Sequence, residues 1–83
     1  MIKLTVGLVE DSAEVMVTEN QTVREAFAAA GKANVLNDSQ ARVYLYSDGV
    51  APKIVTANDV LSNLNVKEGD SILVTKNYKS ASK

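Results

Sequence analysis

Apolar and polar residues alternate at the start of the chain, with Ile2, Leu4, Val6 and Leu8 on one side and Lys3, Thr5 and Gly7 on the other. This is the two-residue period of a strand with one buried face. The polar stretch Glu10-Asp11-Ser12-Ala13 interrupts the pattern, and residues 14 to 18 resume it with Val15 and Val17 set against Met16 and Thr18. An antiparallel hairpin turning in that polar stretch is expected, and no Asn-Gly or Asp-Gly pair fixes its register. The period then changes. Thr22 and Glu25 have capping-box spacing, the hydroxyl accepting from the third helical amide while the carboxylate reaches back to the cap amide. Val23, Ala26, Phe27 and Ala30 follow at i, i+3, i+4 and i+7, one face of a short helix that Gly31 stops.

Beyond a polar connection from Asn34 to Gln40, alternation returns over residues 41 to 47. Val43 and Leu45 lie on one face, Arg42, Tyr44 and Tyr46 on the other. Asp48-Gly49 turns the chain, Pro52 excludes a central strand there, and Ile54-Val55-Thr56 has the length of a short edge strand. Asn58 or Asp59 is placed to cap a helical turn carrying Leu61 and Leu64. Glu68-Gly69-Asp70 then makes a tight corner into a last strand with Ile72 and Val74 on one face, Leu73 and Thr75 on the other. The predicted order is ββαβ, a short β, a helical turn and β.

The chain has 83 residues, 46% hydrophobic and 23% charged, which fits one globular domain rather than a disordered or membrane-spanning chain. A domain of this length buries only roughly 60 to 65% of its unfolded surface, so every core side chain counts. Residues 1 to 76 form the expected domain and 77 to 83 a loose tail. The net charge of −1 gives no general attraction to nucleic acid or anionic lipid. With neither cysteine nor histidine in the sequence, thiolate chemistry, Cys-based metal sites and the commonest general base drop out. Ser12, Ser39, Ser47, Ser62 and Ser71 then have no histidine to activate them. No cofactor is expected. The start at Met1 shows no basic, apolar leader, and a cytoplasmic location in a bacterium or phage is the expectation.

The capped helix TVREAFAAAGK, the segment Leu61-Ser62-Asn63-Leu64-Asn65-Val66 and the corner Gly69-Asp70-Ser71-Ile72 together resemble ubiquitin and its relatives, including the sulfur carriers of thiamine and molybdopterin synthesis. The resemblance covers residues 1 to 76. It implies an α+β, ubiquitin-like β-grasp with a four- to five-stranded mixed sheet packed on one helix, serving as a protein handle rather than an enzyme. Conjugated members carry a C-terminal Gly-Gly that threads a narrow channel, where any side chain obstructs. Here Asn77-Tyr78-Lys79-Ser80-Ala81-Ser82-Lys83 follows, and no glycine occurs after Gly69. Trimming within this stretch exposes no such motif, so conjugation or sulfur transfer is the alternative and not the expectation.

Arg42, Tyr44 and Tyr46, with Leu73 and Thr75 on the same outer face and Met16 nearby, form the candidate partner-binding set. Tyrosine and arginine are enriched among residues that dominate interface energetics, and the open sheet face is where the resemblance places docking. The competing reading is that these are good strand formers on a solvated sheet. Glu10, Asp11, Glu14 and Glu19 match no calcium-loop spacing and read as a solvated hairpin end. The basic run with Lys76, Lys79, Lys83 and Tyr78 reads as a solubilising tail rather than a nucleic-acid contact. The expected function is a non-conjugated interaction module with a protein partner, no nucleic acid and no membrane, monomeric or weakly homo-oligomeric. A small assembly component pairing through a sheet edge is the third reading.

Overall fold

A computed structural model describes residues 1–37 and 41–76, so the tail expected over 77 to 83 lies outside the described residues. The elements are β1 (Ile2–Leu8), β2 (Asp11–Val17), α1 (Val23–Ala29), a 3-10 turn (Ala33–Asn37), β3 (Ala41–Tyr46), β4 (Lys53–Val55), α2 (Leu61–Leu64) and β5 (Ser71–Lys76). They build one mixed sheet in the order β2-β1-β5-β3-β4. The first and last strands pair in parallel at its middle, Thr5 against Ser71 and Leu8 against Val74, while the other pairings are antiparallel.

The inward residues are those the alternation singles out. Leu4, Val6, Val15, Val17, Val43, Leu45, Val55, Ile72 and Val74 close on Val23, Ala26 and Phe27 of α1 and on Leu61 and Leu64 of α2, all buried. Phe27 is 0% exposed. A helix of this length has little stability in water on its own, so burial of this face is what holds it.

Its amino end is fully satisfied. The Glu25 N–H donates to Thr22 Oγ1 at 3.2 Å, and Glu25 Oε1 accepts from the Thr22 N–H at 2.8 Å. The Val23 and Arg24 amides, orphans in any helix, donate to the Asp59 and Ala57 carbonyls. The return connection is thereby tied to the start of α1, and Thr22 and Val60 form an isolated antiparallel bridge. Thr22→Ala is expected to cost about 1 kcal/mol, and Thr22→Ser little. A thermal midpoint lowered by roughly 4 to 8 °C for alanine alone is the measurable form of that loss.

Three local expectations are corrected. The hairpin turns at Val9-Glu10, not over Glu10 to Ala13, because β2 already begins at Asp11 opposite Leu8. Neither turn residue has a positive φ; it is Gly7, just before, that leaves the ordinary strand region at φ +134°. A Cβ on Gly7 would stand 2.6 Å from the Asp11 carbonyl oxygen and 2.9 Å from Lys32 Cδ. The position is therefore filled by the Lys32 stem, whose Nζ reaches Asp11 Oδ1 at 3.3 Å. Second, neither Asn58 nor Asp59 caps α2. Val60 holds the cap position without a side-chain bond, and Asp59 Oδ2 accepts instead from the Thr56 N–H at 2.9 Å. Third, part of the connection read as merely polar folds into the 3-10 turn, where Val35 and Leu36 pack against the core.

Candidate functional site: the outer face of the sheet

The strand registers place the candidate residues relative to one another. Arg42 stands opposite Thr75, Tyr44 opposite Leu73 and Tyr46 opposite Ser71. Side chains directly opposed across antiparallel strands have Cβ atoms about 4.5 to 5.5 Å apart, so Tyr44 and Leu73 share one surface. Tyr44 and Tyr46, two residues apart on β3, hold their ring centroids 6.4 Å apart at an interplanar angle of 48°. Both rings are half-buried, as are Leu73 and Thr75, while Arg42 is exposed.

A residue outside the expected set completes the patch. Ile54 of β4 stands opposite Tyr44 and is 61% exposed, among the largest values for an apolar side chain in the chain. On the other side Leu73 neighbours Gly7 of β1, which has no side chain to cover it. The result is a continuous apolar row, Leu73–Tyr44–Ile54, crossing β5, β3 and β4, with Tyr46 beside it and Arg42 and Thr75 along the next row. Period-two parity was the available signal for Ile54. It became readable only once the length of the connection between β3 and β4 was known.

Met16 is not part of this row. It is exposed and stands opposite Lys3, on β2, two strands from β5 and so about 10 Å away in the pairing direction alone. The four early carboxylates are likewise dispersed: Asp11 meets Lys32, Glu14 stands opposite Thr5, and Glu10 and Glu19 flank the hairpin at opposite ends. Among the described residues, no cluster of three or more acidic, cysteine or histidine side chains is arranged to hold a metal ion.

Beneath one end of the face, Asp70 is buried. Its Oδ2 accepts from the Ser47 hydroxyl at 2.7 Å and from the Lys67 N–H at 2.8 Å, and its carbonyl accepts from the Thr5 N–H. One aspartate thus sets where β5 enters between β1 and β3, which in turn fixes Leu73 against Tyr44. Its role is positional.

No family model matches the chain, and no curated protein matches it in sequence. Solved structures do match in shape. The C-terminal ubiquitin-like domain of mouse tubulin-specific chaperone e is similar over 98% of this chain and 91% of that one, with a TM-score of 0.66 at 16% identity. The ubiquitin-like domain of an Arabidopsis thaliana protein is similar over 99% of this chain and 83% of that one, with a TM-score of 0.58 at 22% identity. The chain has the ubiquitin-like β-grasp fold. At these identities the likeness extends to architecture, and the identity of any docking residue has to be argued from this β-grasp domain's own surface. Among the described residues, no helix is long and apolar enough to cross a membrane.

Proposed function

We propose that this β-grasp domain is a non-catalytic, non-conjugated interaction module that docks a protein partner on its outer sheet face. The row Leu73–Tyr44–Ile54, continuous over three neighbouring strands, is the observation that carries the reading. Scattered exposed apolar residues are ordinary on any protein, whereas a contiguous patch marks an interaction surface. The rings supply rigid contact area with few rotatable bonds, and Arg42 at the margin supplies a fork of donors for a carboxylate or carbonyl on the partner. With no histidine or cysteine, and every serine lacking an imidazole, the residues favour contact over turnover.

The test uses the immobilised full chain and its Tyr44→Ala/Tyr46→Ala variant to capture partners from the source cell. Both rings are part-exposed and outside the core, so the variant is expected to keep its circular dichroism and unfolding midpoint to within a few degrees. Loss of a centrally placed aromatic anchor lowers affinity by roughly 30-fold or more. A partner retained equally well by both proteins removes this face from the function.

A further inference from the structure

A second surface, away from the sheet face, has its own complement within the same molecule. Between the β3–β4 connection and the segment after α2 lies a hollow of about 120 Å³ lined by Leu45, Val50, Ala51 and Leu64, with Lys53 and Lys67 among its polar residues. That volume is well below the ~300 Å³ of a small-molecule pocket, and it suits one aliphatic side chain. No carboxylate lines it. Those nearby are engaged or outside it: Asp70 accepts from Ser47 and Lys67, Glu68 Oε1 accepts from the Lys3 N–H, and Asp48 stands in the exposed turn. Neither Lys53 nor Lys67 forms an ion pair among the described residues.

The hairpin turn presents the opposite. Val9 is 56% exposed at its tip, followed by Glu10, also exposed and without an ion pair among the described residues. The two features lie at diagonally opposed corners of the sheet. The tip extends β1 and β2 past the level of Val74, whereas the hollow adjoins the end of β3 at the level of Asp70.

We propose that the Val9-Glu10 tip of one copy seats in the Leu45/Leu64 hollow of a second copy, Val9 filling the apolar floor and Glu10 lying between Lys53 and Lys67. Tip and hollow are different surfaces, so the contact is head-to-tail and does not close on itself; further copies add at either end. Pairing of β2 edges about a two-fold at the strand centre is disfavoured, because Glu14, the middle residue of Asp11–Val17, then faces its own copy. The contact is small and charge-assisted, so it belongs to high local concentration and low ionic strength. It leaves the sheet face free.

Sedimentation of the full chain tests this. Weight-average mass is expected to climb above that of one chain as protein approaches about 1 mM at ~0.01 M salt, and to fall back at ~1 M salt, where screening acts within about 3 Å. Glu10→Lys and Lys53→Ala/Lys67→Ala change exposed side chains, so both variants keep the fold. Each alone is expected to associate at least about 3-fold more weakly, the scale of an exposed ion pair, and Glu10→Lys more so because it sets like charge against like. Mixed one to one, they retain one good tip and one good hollow between them. A species of two chains and nothing longer is then the expected result. A wild type that stays monomeric, a Glu10→Lys variant that associates like wild type, or a mixture that either fails to pair or grows beyond two chains would each overturn the proposal. Tyr44→Ala/Tyr46→Ala is expected to self-associate like wild type, which separates this contact from the docking face.

Discussion

Phe27→Ala is expected to unfold this domain at body temperature, or bring it to the edge of unfolding. Removing a fully buried phenylalanine costs about 3 to 5 kcal/mol through lost transfer energy and the cavity left behind, and here the ring is 0% exposed between α1 and the sheet. A chain of this length has about 4 to 12 kcal/mol in all, at roughly 0.05 to 0.15 per residue. Urea titration followed by circular dichroism reads the difference directly. A midpoint shift equivalent to less than about 1 kcal/mol would mean that the ring is not the centre of the interior. Phe27→Leu, which keeps most of the volume, is expected to cost less than about 1.5 kcal/mol.

The second large effect is expected at Gly7, a residue whose side-chain position is a single hydrogen. Alanine there has to hold φ near +134° and place a methyl 2.6 Å from a backbone oxygen and 2.9 Å from Ser12 Cα. The backbone term is about 1 to 3 kcal/mol, and overpacking against atoms that cannot swing away adds about 1 to 3 more. Gly31 provides the comparison, since it too has a positive φ, +73°, yet nothing lies within 4 Å of the added carbon. Gly31→Ala should therefore show the conformational cost alone, about 1 to 2 kcal/mol for an L-residue in the left-handed region. If the two alanine variants unfold at the same denaturant concentration, the close approach of Asp11 and Lys32 to Gly7 is wrong.

How far the sequence could be read follows from where its signals are local. Thr22 and Glu25 announce α1 because a capping box is written in four consecutive residues, and the Val43/Leu45 against Tyr44/Tyr46 alternation needs nothing beyond its own strand. The corner before β5 was legible for the same reason. Signals that depend on a distant partner were not. The Val9-Glu10 turn contains no glycine or asparagine, and the glycine that serves it, Gly7, sits inside the strand pattern, where it reads as one more outward position. Its close neighbours Lys32 and Asp11 are brought there only by the fold. Asp59 was legible as a turn residue but not for which amide it serves, and Val60 takes the cap position because its backbone bridges to Thr22. Ile54 was legible as a strand residue. Its place in the apolar row depends on a register, Tyr44 against Ile54, that six intervening loop residues set. Met16 shows the converse: parity assigned its face correctly, yet the strand order carries it away from the aromatic row.

The parallel seam between β1 and β5 joins the first and the last strands of this domain. While a ribosome is still making the domain, the residues of β1, β2 and α1 precede the strand that unites the two halves of the sheet. With elongation at about 5 to 20 residues per second, the residues of β1 wait seconds for their parallel partner Ser71–Lys76. A chain stopped before Asp70 therefore leaves the parallel edge of β1 unpaired, an open edge of the kind that invites pairing with other chains.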